Sequence, residues 1–246
     1  MPPSHKNNSE AYSRRGSDIR EIPVYTITEA ARHLNIPLPT LRSWVKGRHY
    51  PVGKYGEQRF FHPAIILSDL DRSQLSFINL IEAHVLDGMR RQHSVPFYNV
   101  RAALDYLKTQ YPSKHPLADY WFQTDGFDLF IEDLDKQLIN VSRKGQLEMD
   151  IVRAYLKRID RDVKGVPARL YPVVKTRSLQ DPPLVVIDPL VSFGKPVLVG
   201  SGIPTSIIAE RFYAGDSTDT LAKDYGRERS EIEEAVQYEA PTRKAA

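Results

Sequence analysis

The sequence predicts a mainly α chain with small β-hairpins, an α+β class, arranged as three units along 246 residues. Three observations predict it. Between Thr28 and Lys46, two short helical patterns flank a tight turn at Asn35. From Leu75 to Met89 apolar residues recur at helical spacing, and short aromatic or β-branched runs follow between 120 and 141. From Val185 onward, strands set between glycines and prolines give way to three capped helices. A chain of this length is expected to divide into two or three small domains.

Hydrophobic residues make up 41% and charged residues 26%, a globular balance. No apolar run approaches the roughly 20 residues of a membrane span. The opening stretch, MPPSHKNNSEAYSRRGS, lacks the apolar core of a signal peptide, so a cytoplasmic protein is expected. The absence of cysteine excludes disulfides, thiolate nucleophiles and Cys-based zinc sites, and fits a reducing compartment. The net charge of +3 is unevenly spread. Residues 1–63 carry 10 Lys/Arg against 5 Asp/Glu, residues 64–184 carry 17 against 16, and residues 185–246 carry 7 against 10. The basic excess lies at the N-terminus, as expected where one module of a longer chain meets phosphates.

Residues 1–21 are polar and read as a flexible basic arm. Residues 22–63 form the next unit. Thr28–Leu34 is a short helix capped by Thr26 or Thr28. Asn35 follows, a residue that tolerates the left-handed conformation of a tight turn. Pro39 suits the first turn of a second helix, Thr40–Lys46, which Gly47 ends. Ala31 is small where the two helices approach, and Leu34, Ile36, Leu41 and Trp44 close a miniature core. Thr40, Arg42, Ser43 and Lys46 point outward, with the chemistry to read base edges in a major groove. Past Gly47, two short strands flank the turn Gly53-Lys54-Tyr55-Gly56, making a wing. The unit is a winged helix-turn-helix, with Thr28, Pro39, Thr40, Arg42, Ser43, Lys46, Arg48, Lys54, Tyr55 and Arg59 as candidate DNA contacts; Lys54 and Arg59 are expected at phosphates.

This stretch resembles the DNA-binding domain of MerR-like regulators, in which a threonine-leucine-arginine opens the recognition helix and an arginine-aromatic pair ends the wing. Here these are Thr40-Leu41-Arg42 and Arg59-Phe60. Ser43-Trp44 departs from the aromatic residues usual after that arginine.

The central region, 64–165, opens with a helix from Leu75 to Met89, and a second helix is expected over 99–111, stopped by Pro112. Strand-like runs at 120–122, 128–131 and 138–141 are joined and followed by turns at 124–126 and 143–145. A helix over 148–159 comes next, then an extended linker, 166–184, marked by Pro167, Pro172, Pro182 and Pro183.

Residues 185–240 begin with a strand at Val185–Ile187 and a second strand between Gly194 and Gly200. Those glycines read as strand-end turns; Pro196 and the missing Walker spacing argue against a phosphate loop. Three helices follow. The first, Thr205–Tyr213, is capped by Thr205, the second runs from Ser217 to Tyr225, and the third, acidic one spans Glu228–Glu239. The first pair again has helix-turn-helix character, but the local charge of −3 favours partner binding or dimerisation over a strong DNA grip. Asp188-Pro189, Gly194-Lys195-Pro196-Val197, Gly200 and Ile203-Pro204, then a helix, a glycine and a tyrosine-containing helix, resemble the domain of unknown function family 433, found in antitoxins of the VapB class. Gly202 stands where that family commonly has arginine.

The acidic residues Asp125, Asp128, Glu132, Asp133 and Asp135 match no calcium-loop spacing and read as a solvated strand edge. The seven histidines are scattered, with no metal-ligand spacing, and no nucleophile with a base and orienting group emerges. A non-enzymatic protein without metal or cofactor is expected. The resemblance implies an antitoxin that neutralises a PIN-domain ribonuclease and, as a homodimer, binds operator DNA to repress its own operon. It leaves the toxin-binding surface open. If an arginine enters the toxin's carboxylates, candidates are Arg243 and Lys244 in the tail 241–246, or the basic residues of 143–177. The helix 74–90 and the C-terminal helices are the expected dimer surfaces. The alternative is a stand-alone MerR-like regulator whose middle domain senses a small molecule.

Overall fold

The computed structural model of the chain describes residues 18–52, 58–68, 73–90, 104, 105, 109, 113–119, 152–174, 178, 179 and 181–240. The wing tip, the runs expected as strands at 120–141, the acidic cluster at 125–135 and the tail 241–246 lie outside the described residues. Among the described residues the chain is a mixed helical protein with small antiparallel strand pairs, the α+β class that the sequence predicts.

Strand β1 (Tyr25–Thr26) leads into helix α1 (Ile27–His33). Of the two candidate caps, Thr26 is the one used. Its hydroxyl accepts the Glu29 amide at 3.2 Å while the Glu29 carboxylate accepts the Thr26 amide at 2.9 Å, a reciprocal capping box. The helix ends in a Schellman turn: Ile36 N–H donates to Ala31 O at 2.9 Å and Asn35 N–H to Arg32 O at 3.1 Å, with Asn35 at φ 55°. Helix α2 (Leu38–Lys46) starts two residues earlier than the sequence indicates, behind Pro37. Gly47, at φ 76°, reverses the chain into β2 (Arg48–Val52), which pairs in antiparallel register with β3 (Gln58–His62).

Leu34, Ile36, Leu41 and Trp44 are all buried, but their core does not stop at residue 63. The Trp44 carbonyl accepts the amides of Ile65 and Ile66, at 2.8 and 3.1 Å. Strand β4 (Gln74–Leu75) pairs with β1, placing Leu75 opposite Tyr25. Helix α3 (Phe77–Arg90) then joins the same apolar cluster. A two-helix module of 40 residues buries too little surface alone, and the following segment supplies the remainder.

Residues Phe77–Met89 of α3 are buried on every side, which removes this helix as an exposed dimer surface. Its polar side chains are satisfied inside. Asn79 donates to Glu82 at 3.0 Å, Glu82 meets His115 Nδ1 at 3.0 Å, and Tyr155 donates to Asp87 at 3.2 Å. Leu104, Asp105 and Thr109 are helical, within the expected helix over 99–111.

Two further differences from the sequence reading concern 148–184. Helical residues 152–156 give way to strand β5 (Ile159–Arg161), so the expected helix ends short of Ile159. The expected linker contains β6 (Pro167–Leu170), paired with β5. Proline is tolerated as the first residue of an edge strand, and the fully buried Leu170 draws the segment into the main core, where it bridges Ile187. The end of the expected flexible arm is anchored as well: Arg20 donates to Asp18 and, at 2.7 Å, to Asp162 of the β5–β6 turn.

The C-terminal unit opens with β7 (Val185–Val186), antiparallel to β8 (Val197–Leu198). Helices α4 (Thr205–Tyr213), α5 (Thr218–Tyr225) and α6 (Arg229–Glu239) follow. Leu198, Ile208, Leu221, Ile232, Ala235 and Val236 form a second, separate core. Ser217 caps α5, and Gly226, left-handed at φ 59°, ends it. Thr205 is not the cap of α4: it lies inside the first turn behind Pro204, and its hydroxyl donates instead to Glu239 at 2.5 Å.

Candidate nucleic-acid interface

The two faces of α2 divide cleanly. Leu41, Trp44 and Val45 are buried. Pro39, Arg42, Ser43 and Lys46 recur at i, i+3, i+4 and i+7 and so share the opposite face. Pro39, Arg42 and Lys46 are exposed; Thr40 and Ser43 are half-buried, and the Ser43 hydroxyl donates to the Thr40 carbonyl at 2.7 Å. Thr28 is exposed in the first turn of α1, and Arg48 is exposed where the chain leaves α2. Arg59 stands in β3 opposite Pro51. Lys54 and Tyr55 lie outside the described residues.

One feature of the hairpin escaped the sequence reading. His49 and Phe61 are cross-strand partners with ring centroids 4.8 Å apart, and both are exposed. The two residues face each other in the β2–β3 register, and an aromatic or histidine pair placed on facing strands of a hairpin is the signal that could have found them.

The α4–α5 pair repeats the architecture of α1–α2 with different chemistry. Four residues link each pair, and Leu221, like Leu41, is fully buried. Residues 205–239, however, carry 4 Lys/Arg against 9 Asp/Glu. Their arginines face their own carboxylates: Arg211 pairs with Asp216 and Asp224, both at 2.7 Å, and Arg229 with Asp219 and Glu233, at 3.1 and 2.7 Å. Such a surface repels phosphate.

Helix α1 is clamped between the two units. Tyr25 donates its hydroxyl to Gly194 O at 2.9 Å, and Tyr238 donates to His33 O at 2.7 Å. Burial pushes both phenols above their ordinary range. Burial also lowers His33 to about 4, assisted by Arg32, so the ring is neutral around pH 7. The Arg32 guanidinium is 3.7 Å from Glu239.

Several basic residues of 143–177 are structural. Arg161 holds the 113–119 segment through Ala118 O at 2.7 Å and Asp119 O at 3.2 Å, Arg158 donates to Leu179 O at 3.0 Å, and Arg169 pairs with Asp188 at 3.0 Å. Lys157 and Lys164 are exposed. Arg243 and Lys244 lie outside the described residues. Among the described residues no group of three or more His, Asp or Glu side chains is placed to hold a metal ion, and no helix is long and apolar enough to cross a membrane.

Comparison with known proteins matches two stretches of the chain. Residues 23–104 match the family described as "Putative DNA-binding HTH domain", and residues 185–238 match the protein family of unknown function DUF433. The chain therefore carries a helix-turn-helix domain of the first family and a DUF433 domain. The helix-turn-helix match runs through α3, consistent with a core that continues past residue 63.

Two curated relatives come from Mycobacterium tuberculosis. "Putative antitoxin VapB45" is 29% identical over 237 residues, covering 88% of this chain and 93% of the relative. "Uncharacterized protein Rv2308" is 26% identical over 223 residues, covering 87% and 89%. The crystal structure of Rv2018 from the same organism superposes with a TM-score of 0.62 at 24% identity, over 87% of this chain and 98% of that one, and shares the fold.

Proposed function

We propose that this chain is a cytoplasmic, VapB-class antitoxin that binds operator DNA through a MerR-like α2 and wing. As a homodimer it represses its own operon, and it neutralises a PIN-domain ribonuclease by direct binding, without catalysis or cofactor of its own. The observation that carries the reading is the two-faced α2: a buried Leu41–Trp44–Val45 side, and an exposed side presenting Pro39, Arg42, Ser43 and Lys46. A solvated Arg and Lys on the second helix of such a pair have the reach and charge for major-groove edges and phosphates. The relative named as an antitoxin, aligned over most of both chains, supports the second half of the proposal. The acidic, self-paired α4–α5 surface leaves DNA to the N-terminal unit and the C-terminal unit to protein contacts.

Two-fold assembly follows from the small reach of one recognition helix, which reads only a few base pairs. With α3 buried, the C-terminal helices are the remaining expected dimer surface. The test is co-expression with the adjacent gene product. The expected result is a stable co-purifying complex, rescue of growth from that product's toxicity, and binding of the complex to the shared promoter. A chain that binds its promoter but neither captures nor neutralises the neighbour would make it a stand-alone regulator; failure to bind the promoter would remove the DNA-binding half.

A further inference from the structure

The C-terminal unit grips α1 at both ends, at residues that do not belong to the exposed face of α2. Tyr25, one residue before the Thr26 cap, donates to Gly194 O at 2.9 Å. At the other end, the Tyr238 hydroxyl donates to His33 O at 2.7 Å. Carbonyls in the last turn of a helix have no acceptor role within it. The Schellman turn uses those of Ala31 and Arg32, and Tyr238 supplies a donor to the next one, His33. The adjacent Glu239, its side chain only 5% exposed, accepts the Thr205 hydroxyl at 2.5 Å and lies 3.7 Å from the Arg32 guanidinium. Two residues from the end of α6, one of them held by Thr205 at the start of α4, thus converge on the last turn of α1, immediately before the Asn35 turn that sets the angle of α2.

We infer that Tyr238 is a positioning residue for DNA recognition: through His33 O it fixes how α1, and with it α2, stands on the rest of the molecule. The inference rests on the DNA-binding reading of α2. A helix-turn-helix pair is joined by a short, rigid turn, so the pose of its first helix is the pose of its second. Base readout depends on that pose to within a fraction of an ångström, whereas phosphate attraction tolerates small rotations. Loss of the Tyr238 bond therefore acts on selectivity more than on overall attraction.

The test uses the full-length chain and a duplex enriched by the wild-type protein from a random-sequence pool, with a scrambled duplex as comparison. Tyr238→Phe keeps the ring and removes only the hydroxyl. It is expected to weaken binding to the enriched duplex roughly three- to tenfold, the worth of one hydrogen bond. Binding to scrambled DNA and the salt dependence are expected to stay unchanged. Amide hydrogen exchange in α1 and α2 is expected to rise. Thr205→Val, which removes the hydroxyl held by Glu239, is expected to act in the same direction. Lys223→Ala, an exposed change in the same unit, is expected to leave all three readouts alone. Equal binding of wild type and Tyr238→Phe to the enriched duplex, or an equal loss on both duplexes, overturns the positioning role. A wild-type chain that enriches no sequence overturns the DNA-binding reading, and this inference with it. A folded Tyr238→Phe is confirmed by an unchanged far-UV circular dichroism spectrum and a cooperative thermal transition above the assay temperature.

Discussion

The hydroxyl of Tyr25 occupies the space that a β-carbon on Gly194 would need, and it donates its hydrogen to the carbonyl of that same glycine at 2.9 Å. Gly194 closes a run of three left-handed residues, after Ser192 at φ 47° and Phe193 at φ 57°. The turn foreseen from the glycine is therefore also the seat of the first strand of the helix-turn-helix unit.

Gly194→Ala is expected to destabilise the chain by at least roughly 1–3 kcal/mol, because φ of 74° strains any side chain and the new methyl meets the Tyr25 hydroxyl. Thermal unfolding should show a loss of several degrees. Adding Tyr25→Phe should recover part of it, since only the steric share disappears. Strict additivity of the two changes would contradict the contact.

His33 links stability to pH. Its folded value, about 4, lies below the 6.5 of the free side chain, so the unfolded chain binds the proton first. Stability is therefore full above pH 6.5 and falls as pH drops toward 4, by up to about 3 kcal/mol. Denaturant titrations of wild type and His33→Leu across this window isolate the effect from the carboxylates. Parallel pH profiles would refute it.

Asn35 carries a left-handed φ of 55° in the turn between α1 and α2. Asn35→Gly is expected to be near neutral in stability, while Asn35→Val should cost about 1–2 kcal/mol. Denaturant midpoints of the two variants decide the matter, and a tolerated valine would show that the turn is not under this constraint.

Arg42→Ala is expected to cost roughly 1–3 kcal/mol on the preferred sequence and relax selectivity at the base it reads. Lys54→Ala should weaken binding on all sequences alike and lower the salt slope by about one unit. Titrations on specific and random duplexes at two salt concentrations distinguish them; identical behaviour of the two variants would undo the assigned roles.

Much of the candidate site was legible because its causes are local. The capping box needs only Thr26 and Glu29 three residues apart, the Schellman turn needs a residue such as Asn35 that accepts positive φ, and the two faces of α2 follow from helical spacing. The reading faltered where a local pattern had two outcomes. Thr205 has the chemistry of a helix cap but spends its hydroxyl on Glu239. Prolines around 167–183 suggested a linker, yet Pro167 opens a paired strand because Leu170 has a core to enter.

Sequence alone therefore determined the α+β class, the helix-turn-helix with its basic outward face, and the glycine-set turns of the C-terminal unit. Only the tertiary structure decided that α3 is enclosed on all sides, that the N-terminal core runs past residue 63, and that Tyr238 meets His33 across 205 residues of chain. Capping and periodicity act over a few residues, where neighbours in sequence are neighbours in space. Enclosure and long-range hydrogen bonds depend on which surfaces bury together, and no short pattern encodes that choice.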